Sequence, residues 1–259
     1  MMKWLLRTSN LAKALLAAVI LAPLATARAN DLTINYYTIA ESDKDANNLA
    51  CCFVIGDEVQ NGLGAYGFPI LNSAANGGSG LPTDLLADGE ITYWSPALNN
   101  GGPGATSDVT YTGTATVALP FSVPKNFFPP NGTGSSDYDG FQAATLTGTL
   151  YAPEAETISF NIGSDDMAFA YLDGQVVCDD GGVHGSDSVG CTSGTISAGN
   201  HSIEVFFVDI NNSQSGLTFG VNTEDVTTDP SVTPEPGTMT LLGSGLLALA
   251  GCVRRKMRA

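Results

Sequence analysis

In the stretch VTYTGTATVAL (109–119), Val109, Tyr111, Gly113, Ala115, Val117 and Leu119 fall on one side, and threonine takes most of the other. TISFNI (157–162) alternates Ile158, Phe160 and Ile162 with polar partners. SIEVFF (202–207) sets Ile203, Val205 and Phe207 on one face, and LTFGV (217–221) repeats the theme. A period of two predicts half-buried strands, apolar side inward and polar side out. The joints between them are rich in Gly, Asn and Asp. DGQ (173–175) places Asp-Gly where a two-residue hairpin turn needs positive φ. No segment reads as a long helix, and no internal repeat is visible. Many short strands with turn-rich joints predict an all-β fold, an antiparallel β-sandwich in a single domain. NSAANGGSG (72–80) and NNGGPGATS (99–107) read as loops or partly disordered insertions.

The ends break this pattern. Residues 1–29 carry Lys3, Arg7 and Lys13, an apolar core from Ala14 to Leu24, and then Ala27-Arg28-Ala29. This is the layout of a secretory signal peptide, cut by signal peptidase before Asn30. Its core is shorter than the roughly 20 residues of a membrane span. At the other end, VTPEPG (232–237) contains Pro234, Glu235 and Pro236. An apolar run from Met239 to Val253 and a basic terminus, Arg254 to Arg258, follow. The three parts together resemble the PEP-CTERM sorting signal of Gram-negative bacteria. That resemblance implies transient membrane anchoring by the tail at 238–259, processing by an exosortase, and a linker over 223–237. The alternative is a permanent C-terminal anchor with a positive-inside tail. The sandwich is then expected over 30–222.

The sorting segments hold nearly all the positive charge. Between Asn30 and Val253 only Lys44 and Lys125 remain against 26 Asp and Glu, a formal charge of −24. Such a surface repels nucleic acid and anionic lipid, so neither is expected as a partner. Divalent cations would relieve the self-repulsion.

Four of the five cysteines, Cys51, Cys52, Cys178 and Cys191, lie outside the tail. An even count in an oxidising compartment predicts disulfides. Cys178 and Cys191 bracket DDGGVHGSDSVG, and the simplest pairing closes that loop. Cys51 and Cys52 are adjacent; they either bridge each other or reach elsewhere. A thiolate zinc site is disfavoured, because CC is not CxxC and the chain has only two His.

The candidate chemistry is carboxylate. Asp165 and Asp166 stand side by side at the edge of an apolar run, and Asp179 and Asp180 follow. Strand neighbours point to opposite faces, so the first pair addresses one point only if the backbone turns or a peptide is cis. Calcium is the natural counter-ion: hard, and satisfied by carboxylates, amide oxygens and carbonyls together. An ordinary acidic turn is the plain alternative. Asp179 and Asp180 are poor candidates for a glycosidase pair, because adjacent carboxyls rarely face each other across a cleft. His184 and His201 have no visible nucleophile partner and read as structural.

Five segments extend this reading: NGLGAYGFPILN (61–72), YWSP (93–96), NFFPPNG (126–132), FNIGSDDMAFAYLDGQVVCDDGGVHG (160–185) and SAGNHSIEVFFVDINNSQSGLTFGV (197–221). In this order they resemble the fibro-slime domain, a relative of the protective-antigen-type β-sandwich of toxins, glycosidase insertions and yeast flocculin adhesins. The resemblance implies that Asp165 and Asp166 ligate calcium and that Asp209, Asn211 and Asn212 lie beside them, with sugar hydroxyls on the ion's open positions. The chain departs from the pattern at Met167 and Phe169, where a third Asp and a Trp are usual, and at the inserted Cys178. The expectation is a non-enzymatic, exported, Ca²⁺-dependent carbohydrate-binding or adhesive module at the cell surface or in the exopolysaccharide or biofilm matrix of a Gram-negative bacterium. Its partner would be a polysaccharide or glycan. The alternatives are a structural matrix protein whose calcium only pins loops and, more distantly, a polysaccharide hydrolase.

Overall fold

The computed structural model describes residues 30–127, 141–223 and 225–228. The signal segment, the Pro234-Glu235-Pro236 motif and the basic tail lie outside the described residues, as does most of NFFPPNG. Among the described residues, no helix is long and apolar enough to cross a membrane.

The described chain forms strands β1 (Asp31–Ile39), β2 (Val59–Leu63), β3 (Pro69–Leu71), β4 (Val109–Ala118), β5 (Phe121–Val123), β6 (Phe141–Ala152) and β7 (Glu156–Asp165). β8 (Met167–Leu172), β9 (Gln175–Asp180), β10 (Val189–Ile196), β11 (Gly199–Asp209), β12 (Gly216–Val221) and β13 (Val226–Thr227) complete the set. They build a large sheet in the order β3-β2-β9-β8-β11-β6-β1-β4, with β13 also on β6, and a small sheet in the order β10-β7-β12-β5. All the paired strands run antiparallel. The predicted antiparallel sandwich is therefore the observed fold.

The periodicity explains the core between the sheets. Ile203, Val205 and Phe207 of β11, with Ala168, Ala170 and Leu172 of β8, face Ile158, Phe160 and Ile162 of β7 and Leu217 and Phe219 of β12. The predicted polar outer side, however, is not polar at the centre of the large sheet. Met167, Phe169, Tyr171, Phe206 and Val208 form a second buried cluster there with Ile91, Tyr93 and Trp94. The chain between β1 and β4 folds over this face, and the YWSP block is part of the cover. Trp94 donates its indole N–H to the Phe207 carbonyl at 2.7 Å. Its ring meets Phe206 edge-on at 5.1 Å, and Tyr171 meets the same Phe206 ring at 5.8 Å.

β4 departs from its simple alternation. Its register with β1 slips between Tyr36 and Tyr37, which pair with Gly113 and Tyr111 and leave Thr112 without an opposite residue. An extra residue resets which face each side chain takes. Val109 thus enters the outer cluster, Ala115 and Val117 pack on the inter-sheet core, and Tyr111 stays exposed against Tyr37.

The predicted hairpin at Asp173-Gly174 is present, with φ of 51° and 70° at these two positions, as a tight β8–β9 turn requires. His201 braces it: Nδ1 lies 2.5 Å from Asp173 Oδ2 and Nε2 lies 2.9 Å from the Ser197 carbonyl. Both neighbours are acceptors, so the doubly protonated ring is favoured. Burial alone would lower the imidazole pKa, but these partners outweigh it and raise it. Cys178 of β9 and Cys191 of β10 form a disulfide that joins the large sheet to the small one, and Cys51 pairs with Cys52.

Phe206→Ala would empty the aromatic centre of the outer cluster. The expected loss of stability is about 3–5 kcal/mol, measured by denaturant unfolding. Trp94, the only tryptophan after residue 4, would report the transition by fluorescence.

Candidate functional site

Three passages of the chain from one sheet to the other meet at one end of the sandwich. β7 passes to β8 at Asp165-Asp166, β9 passes to β10 through residues 181–188, and β11 passes to β12 through residues 210–215. The registers place them together: Ala168 pairs with Asp180, Met167 with Val208, Asp165 with Gly216, and Ile162 with Val189. The mouths of the three crossings therefore lie side by side.

The Asp165–Asp166 peptide is cis, one of the two arrangements under which adjacent side chains can address one region. Both residues are buried, as is Asp209 at the end of β11. Asp166 Oδ2 accepts the amides of Ile210 and Asn211 at 2.8 and 2.9 Å. The Asp209 side chain touches Asp166, and the Asp165 charge opposes it. Asp165 Oδ2 accepts the Ser186 amide at 3.2 Å. The Asn211 amide also reaches Asp209 Oδ1 at 3.3 Å. Asn211 is half-buried, and Asn212 is exposed on the rim with its amide donated to Asn47 Oδ1 at 3.0 Å. The structure thus brings Asp165, Asp166 and Asp209 together and leaves Asn212 at the edge.

The second carboxylate pair of the sequence lies nearby, and with it an acid that spacing did not reveal. Asp179 and Asp180 sit at the end of β9 and turn to opposite sides. Asp179 Oδ2 accepts the Val59 amide at 2.9 Å, and Asp180 Oδ2 accepts the Ser164 hydroxyl at 2.7 Å. Glu58, fully buried, borders Asp179 and feels the charge of Asp166. In sequence Glu58 belongs to an ordinary acidic turn, GDEVQNG. Only the pairing of β2 with β9 carries it to this end.

In the acidic group under the outer cover, burial also raises Asp43, but donors surround Asp45 and Asp84. Asp45 accepts from the Thr83 and Asp84 amides, the Thr83 hydroxyl and the Tyr93 hydroxyl, while Lys44 Nζ lies 3.1 Å from Asp84. That group staples loops. At the crossover end, burial is the largest influence on the carboxyls and exceeds the help from backbone amides. It pushes Asp166 up to about 8 and Asp179 and Asp180 up to about 7, and Glu58 lies well above the usual carboxylate range. Buried, acidic and built of hard oxygens, the Asp165–Asp166–Asp209 group has the donor chemistry that calcium prefers.

Comparison with known proteins adds to this geometry. Residues 131–233 match the PA14 domain model. This is less than half of the chain, but it spans β6 to β13 and all three crossovers. Residues 232–256 match the PEP-CTERM protein-sorting motif. No curated protein matches the chain. Among solved structures, the PA14 sugar-binding domain of an RTX adhesin is 17% identical, with 75% of this chain and 90% of that one covered and a TM-score of 0.35. The A domain of epithelial adhesin 9 from Candida glabrata, solved with Galb1-4GlcNAc, is 12% identical over 79% of this chain and 88% of that one, at a TM-score of 0.36. A β-glucosidase from Kluyveromyces marxianus is 19% identical over 32% of this chain, at a TM-score of 0.27. The chain spans only 10% of that enzyme's length.

The raised carboxyls set a pH dependence. Where the folded state holds protons that the unfolded chain has released, stability falls as pH rises. In chelator the chain should therefore lose stability between about pH 4 and pH 8, the window from ordinary carboxyls to the raised Asp166. Thermal unfolding across that range measures this. A melting temperature that rises steadily from pH 4 to pH 8 in chelator would contradict it.

Proposed function

We propose that this chain is an exported, calcium-dependent carbohydrate-binding module of the fibro-slime type, which adheres to polysaccharide outside the cell. Asp165, Asp166 and Asp209 hold the ion, the 210–215 loop with Asn211 and Asn212 forms its outer wall, and vicinal sugar hydroxyls complete its shell. The observation that carries the reading is the burial of three carboxylates at one sandwich end, in a chain with two Lys or Arg between the sorting segments. One of those two, Lys44, is engaged with Asp84. A divalent cation is the species that reconciles these charges without protonating them. The PA14 match over the crossovers supports the same reading. Phe53, 40% exposed, borders the loop at 181–183 through its amide, donated to the Val183 carbonyl at 3.2 Å. It offers a flat apolar surface to a sugar ring.

The PEP-CTERM match supports delivery through the envelope, with transient anchoring by the tail and processing by an exosortase at the surface of a Gram-negative cell. The chain acts by binding rather than turnover. Among the described residues, His201 braces a hairpin and His184 faces carboxylates.

Calcium at about 100 times its dissociation constant should stabilise the chelator-treated chain by about 2.7 kcal/mol, and glycan-array binding should appear only in its presence. Asp165→Asn with Asp166→Asn should abolish both effects while the far-ultraviolet circular dichroism stays that of a folded β protein. Stabilisation by calcium with no glycan bound would favour a matrix protein whose ion pins loops. No response to calcium would remove the mechanism.

A further inference from the structure

The loop at 181–188 carries a second group whose chemistry is not that of calcium. The Cys178–Cys191 disulfide brackets it. It also lies hard against β7: a Cβ on Gly163 would stand 2.2 Å from the Asp187 carbonyl, so the approach requires glycine there. Asp180 at the end of β9 and His184 and Asp187 of this loop each offer a ligand atom, all within 4.8 Å of one another.

The histidine tautomer makes the group informative. His184 Nδ1 lies 3.0 Å from the Gly185 carbonyl. A carbonyl only accepts, so Nδ1 donates to it and Nε2 is the nitrogen left to face the carboxylates. Nε2 faces Asp180 Oδ1 at 3.5 Å. Both atoms are buried without a hydrogen-bond partner, and so is Asp187 Oδ1. The His184 side chain is 5% exposed and that of Asp180 is fully buried. A ring nitrogen and two carboxylate oxygens are therefore left buried without a hydrogen bond. A proton on Nε2 would bridge poorly, since 3.5 Å exceeds the usual 2.7–3.2 Å of an N–H···O bond. A metal bound at about 2.0–2.2 Å to each atom places tetrahedral ligands about 3.4 Å apart, close to the spacing of His184 Nε2 and Asp180 Oδ1. Asp187 stands farther off, its Oδ2 4.0 Å from Nδ1, and would move in to complete the set. The surroundings also match a metal's outer shell. The ring's other nitrogen is anchored on a backbone carbonyl, and the Ser164 hydroxyl holds the second Asp180 oxygen at 2.7 Å.

We propose that Asp180, His184 and Asp187 form a binding site for a first-row divalent cation of the zinc type, distinct from the calcium group at Asp165, Asp166 and Asp209. The imidazole selects against calcium, which takes oxygen ligands, and the two carboxylates neutralise the ion. No sulfur is needed, so the disulfide-bonded cysteines do not count against zinc. Asp187, with a side chain 29% exposed, lies on the solvent side and leaves a fourth position open to water or a ligand oxygen. The bound ion would pin the 181–188 crossover to the end of β9. This site stands or falls separately from the calcium reading.

The test uses the full chain, stripped with chelator and returned to excess calcium so that scattered carboxylates are occupied. Zinc should then bind saturably at one equivalent, and cobalt at the same site should give visible d–d bands. His184→Gln and Asp180→Asn should abolish the bands. Ser164→Ala should weaken zinc roughly 10–100-fold, the usual effect of losing an outer-shell partner. Because His184 and Asp180 are buried, Asp187→Asn is the safeguard: its side chain is partly exposed, the chain should fold, and affinity should still fall at least tenfold. The proposal is overturned if zinc is displaced by calcium from the parent chain, if no saturable binding occurs, or if folded Asp187→Asn binds zinc like the parent.

Discussion

The controlling constraint in this molecule is that three sheet-to-sheet crossings share one end of a sandwich, and acidic residues line them. A strand that ends in a crossing cannot send its last side chains to solvent as an isolated turn would. Asp165, Asp166, Asp180 and Asp209 are therefore buried by the architecture, whatever their charge. Burying carboxylates is costly, and amides from Ser186, Ile210 and Asn211 and the Ser164 hydroxyl offset that cost. The acidic end contrasts with Asp45 and Asp84 under the outer cover, where hydroxyls, amides and Lys44 meet the carboxylates directly.

The rest of the fold serves to hold that end rigid. The inter-sheet core fixes β7 against β8 and β11, and the disulfide joins β9 to β10 just beside the crossings. On the outer face, the cover between β1 and β4 buries Phe206 and Tyr171 under Trp94. It also ties the 210–215 loop to Asn47, whose amide donates to the Ile210 carbonyl at 3.0 Å. Strands packed on both sides give ligands a more precise position than free loops would.

Much of this was legible in the residues. Alternation in 157–162, 202–207 and 217–221 predicted strands and their core-facing sides correctly, and Asp173-Gly174 announced its turn. The pairing of Cys178 with Cys191 followed from the loop they bracket. The outer aromatic cluster was missed because Phe206 and Phe207 are both apolar, and alternation alone assigns only one of them to a core. Tyr111 was misplaced because a bulge at Thr112 shifts the phase, and no local signal marks it. At the site, Asp165 and Asp166 were visible as a doublet. Glu58 and the Asp180–His184–Asp187 group were not, because their proximity depends on pairings across 120 residues or on how a loop folds back.

The central claim is that a divalent ion, not protons, balances the buried carboxylates at neutral pH. A high-resolution crystal structure grown in calcium near pH 7.5 tests it most directly. The account predicts an ion with oxygen ligands from Asp165, Asp166 and Asp209 at about 2.3–2.6 Å. Water alone in that position, with no ion at those distances, would contradict it.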